Sequence, residues 1–253
     1  MATYIDVENA TKSFTTQYHR SLKQIVLAKA RGMKTHETFN AVDEVSFTVT
    51  QGESVGVMGL NGSGKSTLLK LISGVMRPDS GRVLTRGRVA GLIATGAGFQ
   101  PQMSGRDNLW LNAAILGMSE AQTRRKFDEI VDFADLGRFL DSPVTYYSSG
   151  MKARLGFAVA INVDADVFIA DEALAVGDQP FKRKCKRKMR EIRENGTTIF
   201  FVSHAPGAVR QLCDRVLVLE KGRLGFDGGV NEGIKYLHYD QGDEDEEELS
   251  DDG

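Results

Sequence analysis

Short apolar runs alternate along this chain with segments whose apolar positions recur at helical spacing. Residues 4–8, 44–49 and 53–58 carry strand patterns, and the last of them runs into a glycine-rich turn. Residues 64–73 read as a helix covered by Leu68, Leu69, Leu71 and Ile72, and two short strands, 83–84 and 89–93, follow among glycines. From Arg106 to about Leu140 the pattern is helical. There Ser119 and Gln122 have the form of a capping box, and Phe127, Ile130, Val131 and Ala134 share one face. Residues 151–163 are apolar almost all round, which predicts a buried helix. Residues 167–170 and 198–202 are unbroken apolar runs, as expected of central strands in a parallel sheet covered on both faces. Residues 215–219 and 223–226 flank Lys221-Gly222 as a terminal hairpin. Strands separated by helices predict an α/β core with a helical insertion.

Charge changes this picture when it is placed along the chain. The formal net charge is -2, from 32 Lys and Arg against 34 Asp and Glu. Nine of the acids lie in residues 240–253, which hold no Lys or Arg, so residues 1–239 retain 25 acids and about +7. The last twelve residues cannot bury apolar surface and are expected to be disordered. Two cysteines in 253 residues cannot form a disulfide framework and point to reduced thiols of a cytosolic protein. The first 14 residues lack the layout of a signal peptide, and no window approaches 18 uninterrupted apolar residues. If the protein acts at a membrane, another chain must supply the channel.

The strongest chemical signal is Gly59-Leu60-Asn61-Gly62-Ser63-Gly64-Lys65-Ser66, followed by Thr67. It matches the phosphate-binding loop G-x-x-x-x-G-K-[ST] and lies between a predicted strand and a predicted helix. Its glycines let backbone N–H groups turn inward around phosphates, and the helix N-terminus adds positive potential. Lys65 is placed for the β- and γ-phosphates and Ser66 for Mg²⁺. A glycine-rich turn that binds nothing is the competing reading, and the Lys-Ser ending argues against it. At the end of the strand 167–170, Asp171 and Glu172 reach the sheet edge where α/β proteins hold ligands. Asp171 suits a Mg²⁺ site and Glu172 a general base that activates water. A second anion site is predicted at Tyr147-Ser148-Ser149-Gly150-Met151, at the start of the buried helix. Two phosphate cradles far apart in sequence suggest a nucleotide sandwiched between two copies of the chain. His204, after the strand 198–202, is then within reach of a γ-phosphate.

These residues, in this order over about residues 3–230, resemble the nucleotide-binding subunit of an ABC transporter. Gly98-Phe99-Gln100 resembles the family's Q-loop, Tyr147–Met151 its signature loop, Asp171-Glu172 its metal and general-base pair, Asp178 its D-loop and His204 its switch histidine. The resemblance implies a P-loop NTPase core over residues 1–239, with an N-terminal antiparallel β subdomain and a helical subdomain at about 100–163. It implies ATP and Mg²⁺, the metal held by Ser66, Gln100 and Asp171, with Glu172, His204 and Gln100 as the catalytic set. It further implies ATP bound by Gly59, Asn61, Gly62, Ser63, Gly64, Lys65, Ser66 and Thr67. The opposite subunit would supply Ser148, Ser149, Gly150 and Met151. An aromatic before the phosphate loop would stack on adenine, and both Phe14 and Tyr18 qualify.

The YSSGM signature, Gly96-Ala97-Gly98-Phe99 and the run 173–178 resemble the polysaccharide-export subfamily. Its members move lipid-linked glycans out of bacterial cytoplasm with separate permease subunits. A homodimer, two permease copies and a place on the cytoplasmic face of the inner membrane are therefore expected, with no nucleic-acid partner. Residues 100–117 would contact the permease. Some members carry a C-terminal carbohydrate-binding domain, for which 253 residues leave no room, so specificity is expected to lie with the permease. ABC ATPases for another cargo, and soluble ones of DNA repair or translation, are the rivals. The latter normally need a long coiled coil or two nucleotide domains.

Three features stand outside this scheme. Residues 19–36 hold Arg20, Lys23, Lys29, Arg31 and Lys34 beside Leu22, Ile25 and Val26, which suits either a basic amphipathic helix against anionic headgroups or a pyrophosphate-linked lipid, or a solvated helix packed on its own sheet. Residues 181–190 place seven Lys or Arg around Cys185, read as a solvated helix face, with nucleic-acid binding and a low-pKa thiol as the competitors. Trp110 is expected to pack in the helical insertion or at a permease contact.

Overall fold

The structure, a computed structural model, describes residues 3–17, 36–91, 98–171 and 177–237. The insertion at 19–35, Tyr18, Glu172 and the acidic tail therefore lie outside the described residues. The chain opens with β1 (Thr3–Gln17) and β2 (His36–Thr50), an antiparallel pair joined by β4 (Ser80–Thr85) on the other side of β1. Between them in sequence run β3 (Ser54–Met58) and α1 (Lys65–Ile72). β1 is far longer than the predicted 4–8. Its register shifts between Val7 and Ala10 and again around Lys12, with Asn9 at φ 45°, so bulges break the alternation that marks a strand in sequence.

The second sheet has six strands in the order β5-β6-β7-β3-β8-β9. These are β5 (Val89–Gly91), β6 (Val167–Asp171), β7 (Thr198–Val202), β8 (Arg215–Glu220) and β9 (Arg223–Gly229). The first five are parallel and β9 closes the edge as an antiparallel hairpin with β8. The unbroken apolar runs are the central strands, and alternate residues feed opposite faces. Val167, Ile169, Phe200 and Val202 enter a core with β1, β2 and α1, whereas Phe168, Ala170, Ile199 and Phe201 enter one with the helices. Both faces are apolar along the middle of β6 and β7, and Thr198, at the start of β7, accepts a hydrogen bond from Gly52 N at 2.9 Å.

The predicted helical stretch from Arg106 divides into α2 (Gly105–Ile115) and α3 (Glu120–Ala134), followed by short 3-10 turns at Gly137–Asp141 and Val144–Tyr146. The capping box fixes the break: Ser119 N donates to Gln122 Oε1 at 2.8 Å, and Gln122 N donates to Ser119 Oγ at 3.2 Å. Trp110 stacks on Phe127 at 5.9 Å, so it packs between α2 and α3. The buried helix is α4 (Ser149–Ala160), whose residues 155–160 are all buried. α5 (Gln179–Glu194), α6 (Pro206–Leu212) and α7 (Val230–Tyr236) complete the order. No helix among the described residues is long and apolar enough to cross a membrane.

The basic run lies on α5. Arg183, Lys186, Arg187 and Arg190 are exposed, while Cys185 turns inward and is 1% exposed. Burial pushes the Cys185 thiol up to about 12 despite its cationic neighbours, and burial likewise pushes Cys213 up to about 12. Burial therefore outweighs the flanking cations and argues against a low-pKa thiol. At pH 8 a thiolate fraction on the order of one in ten thousand is expected. A thiol reagent should leave both cysteines of the folded chain unlabelled and titrate both in denaturant, and prompt labelling of the native protein would contradict this.

Candidate functional site

The cleft with the predicted chemistry lies at the C-terminal edge of the parallel strands. β3 and β6 both pair with β7, placing Val57 and Asp171 opposite Val202. The turn after β3, the end of β6 and the residues after β7 therefore emerge side by side. A cleft of about 410 Å³ opens there, lined by Asn61, Gly62, Ser63, Gly64, Lys65, Ser66 and Thr67 of the turn and helix. Asp171, Val202 and His204 form another wall, and Phe14, Phe39 and Ala41 of the antiparallel sheet a third.

The turn is built to present backbone rather than side chains. Gly64 sits at φ 107° as the N-cap of α1, and a Cβ there would stand 2.1 Å from the Ala41 carbonyl oxygen. Gly62, at φ 81°, faces open space. Lys65 is 7% exposed, and its Nζ donates to the carbonyl oxygens of Gly59 at 2.7 Å and Leu60 at 3.0 Å. The ammonium is thus held across the mouth of the loop. Ser63 is 4% exposed, and its Oγ has no hydrogen-bond partner among the described residues. A buried hydroxyl without a partner is costly unless a ligand supplies one. The loop therefore fits an anion, and its position at the start of a helix fits a phosphate.

A metal site would be sparse. Among the described residues no cluster of three or more His, Cys, Asp and Glu could hold an ion. What the cleft provides is the Ser66 hydroxyl and the Asp171 carboxylate. Hard oxygen donors in small number suit Mg²⁺, which keeps waters and takes phosphate oxygens as its other ligands.

The remaining sequence candidates lie elsewhere. Gln100 is exposed and does not line the cleft. Its backbone is held by Asn108, whose Oδ1 accepts from Gln100 N at 2.7 Å and whose Nδ2 donates to Gln100 O at 3.0 Å. Asn108 is fully buried and was missed in the sequence, where it reads as an ordinary polar position on a helix. Ser148 is the N-cap of α4 and its Oγ accepts from Met151 N at 3.1 Å. Ser148 and Ser149 are exposed, Gly150 and Met151 half-buried, and none of the four lines the cleft. Asp178 is the N-cap of α5, accepting from Phe181 N at 3.0 Å, and is exposed. Of the two aromatic candidates, Phe14 lines the cleft, 6.1 Å from the half-exposed ring of Phe39, to which it is paired across β1 and β2. Phe39 was missed, because nothing local in the sequence marks it as Phe14's neighbour.

Residues 42–175 match the family model described as ABC transporter. The chain is 42% identical over 228 residues to the O-antigen export system ATP-binding protein RfbB of Klebsiella pneumoniae, covering 88% of this chain and 93% of that protein. It is 48% identical over 212 residues to the ABC transporter protein AbcA of Aeromonas salmonicida, covering 82% and 68%. It is 46% identical over 192 residues to a teichoic acids export ATP-binding protein, TagH of Bacillus cereus, covering 76% of this chain and 35% of that one. Among solved structures, the ATP-binding subunit of an ABC transporter superposes with a TM-score of 0.73 at 23% identity, covering 93% of this chain and 94% of that one. A dimeric ATP-binding cassette bound to ADP and Pi gives 0.69 at 21% identity, covering 89% and 98%.

Proposed function

This chain belongs to the ABC transporter family, and from that premise we propose that it is the ATP-hydrolysing subunit that powers export of a lipid-linked polysaccharide. It would work at the cytoplasmic face of a bacterial inner membrane, as a homodimer joined to two copies of a separate permease. The observation that carries the ATPase reading is the single cleft in which the phosphate loop, Asp171, His204 and Phe14 meet. The cargo is supported by relatives named for O-antigen and teichoic acid export.

Within the cleft, Phe14 would stack on adenine and the turn 59–66 would wrap the phosphates with backbone N–H groups. Ser63 Oγ would gain the partner it lacks. Lys65 Nζ would exchange its carbonyl contacts for β- and γ-phosphate oxygens, a stronger charge-assisted interaction. Mg²⁺, held by Ser66 and Asp171 with Gln100 approaching on closure, would neutralise phosphate charge. Glu172, next after Asp171, would take a proton from the attacking water, while His204 would hydrogen-bond the γ-phosphate. Ser148, Ser149, Gly150 and Met151, exposed or half-buried at the start of α4, would close over the partner's nucleotide, with Asp178 beside them. Residues 100–117 would then pass closure to the permease.

A Phe14→Ala variant tests the base contact. Loss of an aromatic stack worth about 0.5–1.5 kcal/mol predicts an ATP dissociation constant roughly two- to tenfold higher. Affinity for inorganic tripolyphosphate, which has no base, should not change. Equal ATP affinity in the variant would assign the base contact elsewhere, with Phe39 the neighbouring ring.

A further inference from the structure

Arg154, on α4 five residues after Ser149, reaches two other helices. Its Nε donates to Ala134 O at 3.0 Å and one Nη to Asp135 Oδ2 at 2.8 Å, so it caps the C-terminus of α3. There Asp135 adopts a left-handed conformation and leaves helix carbonyls to be satisfied. The guanidinium carbon also lies 5.0 Å from the centre of the Phe181 ring on α5. Phe181 is 2% exposed and packs edge-on against Phe133 of α3 and Phe157 of α4, at 5.6 and 5.9 Å. From α5, Lys184 reaches the same helix end, donating to Asp132 O and Phe133 O. The end of α3 is thus a post to which α4 and α5 are both tied.

Phe181 reaches back to the turn before it. Its N–H is capped by Asp178, and a Cβ on Gly177, at φ 86°, would lie 2.9 Å from its ring. Glycine is therefore needed for the turn to lie on the ring. A continuous line of contacts runs from the helix that begins at Ser149, through Arg154 and Phe181, to Gly177 and Asp178.

We propose that Arg154 is a positioning residue that locks the start of α4 to the turn at Gly177–Asp178, so that both loops meet a partner's nucleotide as one rigid surface. This rests on the nucleotide-sandwich reading above. A planar, forked cation is required, since one side chain must bond the Ala134 carbonyl along its edge while its face covers a ring, the Asp135 carboxylate being an accessory contact. Arg154→Lys keeps the charge but loses that combination, and Phe181→Leu keeps an apolar side chain, though a smaller one, and loses the ring.

The test is a double-mutant cycle on the full chain, read as kcat, as the ATP dissociation constant of the monomer, and as ATP-dependent dimerisation in a Glu172→Gln background. Each single variant should lower kcat about tenfold and raise the concentration for half-dimerisation about tenfold. Monomer ATP affinity should stay within twofold, because the phosphate loop is on β3 and α1. The double variant should be no worse than either single one. Asp135→Ala, which leaves the Ala134 bond and the ring contact, should stay within twofold of the unmodified chain. A hundredfold loss in the double variant, unchanged kcat in the singles, or a kcat loss matched by loss of folded protein would each overturn the proposal. An unmodified chain that fails to hydrolyse ATP would overturn the ATPase reading itself, a different result from unaltered variants of an active chain.

Discussion

Replacing Glu172 with Gln is expected to lower ATP turnover at least a hundredfold while leaving ATP binding intact. The amide keeps the size of the carboxylate but cannot accept a proton near neutral pH, and a positioned general base contributes about 10²–10⁴ in rate. The residue's place follows from β6, whose four buried apolar residues end at Asp171 in the cleft wall with Glu172 next in the chain. Lys65 and the phosphate loop are untouched by the change, so ATP should bind with its ordinary affinity. Without hydrolysis to reopen it, an ATP-bound dimer should accumulate and elute ahead of the monomer in size-exclusion chromatography. Steady-state turnover near the unmodified rate would remove Glu172 from the role of base.

Lys65→Ala is the second large effect. The ammonium is buried, fixed across two loop carbonyls, and carries the positive charge that the turn presents to the cleft. Hydrogen bonds to charged groups are worth about 1.5–3 kcal/mol, which predicts an ATP dissociation constant roughly ten- to 150-fold higher. Turnover should fall further, because charge on the γ-phosphoryl oxygens develops as the bond breaks. The Gly59 and Leu60 carbonyls would also lose their donor, so a small drop in melting temperature is expected. Equilibrium ATP binding checks the affinity, and a value within threefold of the unmodified chain would exclude Lys65 as a phosphate ligand.

Local signals carried most of the fold. The central strands were legible because residues buried on both faces form unbroken apolar runs, and the cap of α3 because Ser119 and Gln122 form a capping box, though the pattern from Arg106 reads as one helical stretch where the structure has two helices. The length of β1 was not legible, since bulges around Asn9 and Lys12 destroy the alternation. α6 and α7, seven residues each, are too short for a helical period to stand out. At the candidate site, residue type and order singled out the phosphate loop, Asp171 and His204, and the strand order brings them to one cleft. Phe39, Asn108 and the Arg154–Phe181 contact depend on residues that only tertiary folding makes neighbours. Gln100, Asp178 and the start of α4 stand apart from the cleft, an arrangement that fits a site completed by closure and by a second copy.

The function proposed above is that ATP hydrolysis by this chain drives a lipid-linked glycan across the membrane. Its most direct test is to deplete the chain from its host and measure glycolipid in the inner leaflet and polymer on the cell surface. Either the unmodified chain or Glu172→Gln is then supplied back. A lipid-linked polysaccharide should accumulate inside, surface polymer should disappear, and only the unmodified chain should restore export. Intact surface polymer with no internal glycolipid would contradict it.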